Sequence, residues 1–282
     1  MQLRIHHLPR YLKLYLDASG TALDGDELAG YITSLLPSLP VEVRDEPARH
    51  FLSTDEALYR FASSIAAARV FRLDADEVIT EPFKAEIDYE YRRIAYDMPN
   101  MFGAFYSAHH MQSAYWELIP REERSLSHVH VVVTKLLIGT FEVLSRRWHA
   151  RTITLGFPNI ISLRGLIEAP AKPREFYILK QAASVVGGEV PTEMVIYELR
   201  KHALIGLDDE RLTDVTKGYL LQAIVYHATL NPFCEDDSCR LYNAHWQQEM
   251  LKAQLDGDYE LCEAHRQLLN AIEERLRREA GS

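Results

Sequence analysis

With 282 residues, 47% of them apolar and 26% charged, the chain can bury a sizeable core and needs no metal or disulfide framework simply to fold. A net charge of −10 excludes a general nucleic-acid surface, because affinity for a polyanion comes from lysines and arginines neutralising phosphates. No apolar run reaches the roughly 18 residues that span a bilayer, and the opening MQLRIHHLPRYLK lacks a signal-peptide core and cleavage site, so no membrane partner and a cytoplasmic location are expected.

The segment Leu12–Leu16 alternates and predicts a strand, after which Asp17-Ala18-Ser19-Gly20 turns the chain. Helical periodicity runs from Asp26 to Leu36 and stops at Pro37. Val41–Arg44 reads as a second strand and residues 54–69 as a second helix, an order that predicts an α/β layer. Residues 75–125 are rich in tyrosine and charge, and Pro99-Asn100 breaks them; Ser107–Ile119 reads as a helix or an ordered loop. Strand signals return at His128–Val133, Arg151–Leu155 and Asn159–Leu163, the last two separated by Gly156-Phe157-Pro158. Residues 168–175, with two prolines, predict a loop, and Phe176–Leu179 another strand. After Gly187-Gly188 the pattern turns helical, at 192–204, 213–229, 242–254 and 259–279. The basic residues of the last helix, Arg275, Arg277 and Arg278, alternate with Glu273, Glu274 and Glu279, as on a solvated face. The expected class is α/β (α+β): a mixed sheet with helices over 1–188, then a helical part over 189–282, which could still be one continuous domain.

The clearest chemical signal lies in the helical part. Cys234 and Cys239 form C-x4-C, Cys262 and His265 form C-x2-H, and 22 residues separate the pairs. Structural zinc takes four tetrahedral sulfur or nitrogen ligands, and Cys3His is a common set. The second pair sits three residues apart near a helix start, so both side chains face one way. All three cysteines of the chain fall within residues 234–262. Three buried free thiols beside a surface histidine, or a Cys234–Cys239 disulfide, are the alternatives to one structural zinc per chain.

The stretch from His227 to Leu241, followed by Cys262, resembles a degenerate archaemetzincin, in which a zinc-protease helix H-E-x-x-H-x-x-G-x-x-H runs into C-x4-C and a later C-x2-C completes a structural zinc site. The resemblance implies that structural site here, with His265 in place of the last cysteine, and a metzincin-like mixed sheet. It also implies a dismantled reaction centre. The first histidine position holds Ala223, the glutamate position Ile224, the glycine position Leu230 and the third histidine position Phe233; only His227 remains, and Leu241 replaces the family's methionine. Ile161–Gly165, Glu168–Glu175 and Phe233–Trp246 are similar to a family of metallopeptidase-like proteins from archaea and bacteria. From these likenesses the expected function is binding of a peptide or protein without catalysis. An active metal-dependent peptidase with substituted ligands is the alternative, with His227 and Glu175 as its candidate catalytic residues.

Other candidates are weaker. His128 and His130 are two apart on a strand and share a face, which suits a second metal site or plain polar-out alternation. His227 reads as a core or cleft histidine, and His245 as a packing residue. Arg174 could clamp a carboxylate bidentately, or pair with Glu168 or Glu175. His109 and His110 point apart if helical. There is no Gly-rich phosphate loop and no G-x-S-x-G, so nucleophilic catalysis has no support.

Overall fold

The computed structural model describes residues 4–98, 103–171 and 205–281. β1 (Tyr11–Asp17), α1 (Gly25–Leu35) and β2 (Val41–Asp45) form a parallel β–α–β unit. Then come α2 (Pro47–Phe51), α3 (Asp55–Ala67), a small hairpin of β3 (Val70–Arg72) and β4 (Glu77–Val78), α4 (Lys84–Ala95), β5 (Phe105–Ser107) and α5 (Ala108–Leu118). β6 (His128–Thr134), β7 (Leu137–Glu142), β8 (Arg147–Arg151), β9 (Ile153–Thr154), β10 (Asn159–Ser162) and α6 (Leu163–Glu168) follow. The C-terminal part holds α7 (Leu212–Thr229), α8 (Gln247–Leu251), which widens into a π-helical turn at Lys252–Asp256, and α9 (Glu263–Ala280).

The main sheet has the order β2-β1-β6-β10-β9, parallel except for the antiparallel edge strand β9. The class is therefore the expected mixed α/β one. Because side chains alternate across a strand, the sheet divides two cores. Leu12, Leu14, Val129, Val131 and Val133 face a core built with α1, α7 and α9. Tyr15 and Val132 face a second core built with α3, α4 and α5. Helices on both faces explain why β6 is buried almost throughout.

Local chemistry sets the element ends. The Asp24 carboxylate accepts the Glu27 N–H at 2.9 Å and opens α1, and Thr54 does the same for Ala57 at 3.3 Å in α3. In α7, 15 of 18 residues are buried, so this helix is enclosed on nearly all sides and runs through the core. No helix among the described residues is long and apolar enough to cross a membrane. The helix expected at 242–254 starts only at Gln247. The preceding residues are drawn off by pairing with other segments: the Asn243 N–H donates to the Cys234 carbonyl at 3.3 Å, and the Ala171 N–H to the His245 carbonyl at 2.9 Å. The readings at 176–179, 187–188 and 192–204, and the boundary at 188/189, lie outside the described residues.

Candidate metal centre and cleft

The C-x4-C segment folds as a knuckle. The Cys239 N–H donates to the Asp236 carbonyl at 3.1 Å, the Tyr242 N–H to the Cys239 carbonyl at 2.8 Å, and the Asp236 N–H to Cys234 Sγ at 3.4 Å. Tyr259 and Ser238 hold the Asp236 carboxylate. Across from it, Cys262 caps α9, and its carbonyl accepts the His265 N–H at 3.1 Å. This places Cys262 and His265 over the first turn, where the helix's free N–H groups favour an anion. Gly257 lets the chain pass close to the knuckle: a Cβ there would lie 2.5 Å from the Ser238 carbonyl oxygen.

The two halves meet so that the ligand atoms of Cys234, Cys239, Cys262 and His265 all lie within 4.8 Å of one another. Cys234 and Cys262 Sγ are 3.8 Å apart, Cys239 Sγ and His265 Nδ1 3.8 Å, and Cys262 Sγ and His265 Nδ1 3.0 Å. A tetrahedral zinc with arms of about 2.3 Å spaces its sulfurs by about 3.8 Å, whereas a disulfide needs about 2.05 Å. The donor set therefore fits one metal ion, and its chemistry is that of zinc. Burial pushes the Cys239 thiol up to about 12 and raises Cys234, and it lowers His265. A divalent cation inverts that preference by holding the thiolates directly.

The other candidate ligands are engaged elsewhere. His227 is buried in α7, and its Nε2 lies 2.8 Å from the Leu126 carbonyl; burial lowers its pKa. Ala223 and Ile224 beside it are fully buried. Leu230 closes α7 at φ +60°, a left-handed position that favours glycine. His130 Nδ1 is 3.1 Å from the Tyr15 hydroxyl and Nε2 3.0 Å from the Glu123 carbonyl, and burial pushes it down to about 4. His128 Nδ1 lies 3.0 Å from Ser125 Oγ, and its ring stacks on Tyr11. His130 projects with Tyr15 to the opposite side of the sheet from α7, so the β6 pair and His227 cannot share an ion. That side is filled by Arg44, which grips Glu123 bidentately at 2.6 and 2.7 Å. Among the described residues, the Cys3His group is the one His/Cys/Asp/Glu cluster with metal-binding geometry. His109 and His110 bond separately to Gln112 and Ser107, Glu168 lies 3.7 Å from Arg164, and Arg174 and Glu175 are outside the described residues.

A cleft of about 300 Å³ opens beside α7. Arg151, Thr152 and Ile153 at the sheet edge form one wall, Tyr219 and Gln222 of α7 the floor, and Phe233 with Tyr242–His245 the far wall. Sequence reasoning named His245 as a packing residue and Phe233 as the third histidine position, not as cleft residues, and missed Tyr219, Gln222 and the edge residues, because neutral side chains at scattered positions carry no spacing signal.

The family described as "Probable metallopeptidase family (DUF6775)" matches residues 9–272. The chain belongs to that family. Among solved structures it is similar to a zinc-dependent peptidase from Methanocorpusculum labreanum (strain Z), with 13% identity over 92% of this chain and 100% of that one and a TM-score of 0.39. That similarity is too slight to bear on function. No curated protein matches. Membership agrees with the metallopeptidase-like family expected from Ile161–Gly165 and Phe233–Trp246.

Proposed function

We propose that this member of the metallopeptidase family is a metzincin relative that binds an extended peptide or protein segment in its cleft without hydrolysing it, with one structural zinc per chain. The observation that carries this reading is the state of the α7 positions assigned to the reaction centre. Ala223 cannot bind metal and Ile224 cannot take a proton, while the buried His227 is committed to the Leu126 carbonyl. Hydrolytic zinc needs about three protein ligands, an open position for water and a base. The cleft itself is intact. Among the described residues, the edge strand β9 has a strand neighbour on one side only, which leaves backbone groups for an added strand. Zinc on Cys234, Cys239, Cys262 and His265 would act as a cross-link, pinning the knuckle to the start of α9.

The description of the family as metallopeptidases favours a second reading, an active hydrolase with substituted ligands. The two separate on metal content and turnover. Elemental analysis of the native protein and of His227→Ala is expected to give one zinc per chain in both. A peptide library with added zinc, cobalt or manganese is expected to remain uncut. Turnover that disappears in His227→Ala, or a second metal lost from that variant alone, establishes the hydrolase instead.

A further inference from the structure

Gln222 sits on the cleft floor, one residue before Ala223 in α7, and is 1% exposed. Its amide oxygen is buried with no hydrogen-bond partner. Of the described buried polar atoms left without a partner, this alone belongs to a residue lining the cleft. An unsatisfied buried acceptor is unfavourable, and an apolar side chain of the same length would avoid that loss. The surroundings are otherwise well matched. Tyr219, one turn earlier, bonds to Thr152 and is pushed up to about 12 by burial, so its hydroxyl stays neutral and engaged with the protein. Thr152 belongs to the chain wall that a peptide strand would pair with.

We infer that Gln222 determines specificity in this cleft by accepting a hydrogen bond from an N–H group of the bound chain. This rests on the peptide-binding reading and names the atom that reads the ligand. Rotation about the terminal torsion of glutamine is broad and roughly two-fold, so the amide can turn its oxygen toward a chain lying along β9. The ligand class is one with an amide N–H at the cleft floor, that is, peptide backbone or a primary carboxamide. A bound donor relieves an atom that is unsatisfied in the free protein, so the bond is gained in the complex without breaking one in the fold.

The test uses the full chain and fluorescein-labelled decapeptides drawn from a randomised library, with binding read by fluorescence anisotropy. Gln222→Met keeps length and volume while removing both polar atoms. It is expected to hold or raise the melting temperature and to weaken the best-binding peptide about tenfold. Replacing each peptide N–H in turn by an ester oxygen should weaken binding to the native protein about tenfold at one position. The same ester should have no effect on Gln222→Met. If Gln222→Met binds as tightly as the native protein, or the ester penalty is unchanged, the inference fails while the peptide-binding reading stands. A melting temperature lowered by more than about 5 °C shows that the amide serves the fold and overturns the inference. If no library peptide binds the native protein, both fall.

Discussion

The Cys3His knuckle and the cleft-side turns of α7 lie on the same side of the main sheet, and each holds a buried histidine. They use it in opposite ways. His265 points Nδ1 at two sulfurs, 3.0 and 3.8 Å away. His227 instead finds a carbonyl at 2.8 Å among apolar neighbours. The contrast teaches that a histidine becomes a ligand when other anionic donors converge at tetrahedral spacing, and a structural group when one backbone acceptor already satisfies it. The sequence read His265 as a ligand and His227 as a core or cleft histidine, and the packing around each differs in the same sense.

That contrast can be broken most decisively at the knuckle. Cys239→Ser, or a strong chelator, is expected to remove the zinc and lower the melting temperature by about 10 °C, since a lost metal cross-link of several kcal/mol acts at about 2–4 °C per kcal/mol in a chain of this size. Differential scanning calorimetry beside elemental analysis checks it; full zinc at an unchanged melting temperature means that the site is misassigned. Next comes pH. The folded pKa of His130 is depressed to about 4 by burial. Below about 6.5 the unfolded chain binds a proton that the folded chain refuses, so stability present above 6.5 drains as pH falls toward 4. The loss is about 3 kcal/mol, and denaturation curves of His130→Gln should be flatter across that window. If the native curve is already flat there, His130 is not held neutral by burial.

Smaller effects sharpen the same comparison. Gly257→Ala drives a methyl to 2.5 Å from the Ser238 carbonyl oxygen. It should cost about 2 kcal/mol and speed zinc loss to a chelator, which a colorimetric zinc dye can follow. His227→Ala should lower the melting temperature by a few degrees through the lost bond and cavity, about 2 kcal/mol, with zinc content unmoved. Smallest of all, Leu230→Gly removes a left-handed φ of +60° from an exposed side chain and should raise stability by about 1 kcal/mol. An unchanged or lower melting temperature would show that the leucine side chain contributes more than its backbone loses.

Much of the fold was legible because its first elements obey local rules. β1, α1 and β2 were expected at nearly their observed ends, since period-two and 3.6 patterns meet caps and a proline there. α4 and β7 went unread, because α4 has charged residues and tyrosines on most faces and β7 breaks its alternation at Gly139. The His128–His130 pair was correctly read as sharing a face. Spacing could not say that Arg44, Tyr15 and Glu123, from three separate segments, would fill that face.

By itself the sequence singled out the four candidate metal donors, since C-x4-C and C-x2-H are local spacings that suit a knuckle and one helical turn. It also determined that Ala223 and Ile224 offer neither a metal ligand nor a base, because alanine and isoleucine side chains have no donor atoms in any fold. Only the tertiary structure decided that the two donor pairs meet, that His227 turns to Leu126, and that the β6 histidines face away from α7. It alone joined the sheet edge, Gln222 and Phe233 into one cleft. These are long-range outcomes of how two cores pack against opposite faces of one sheet, and no short-range pattern encodes them.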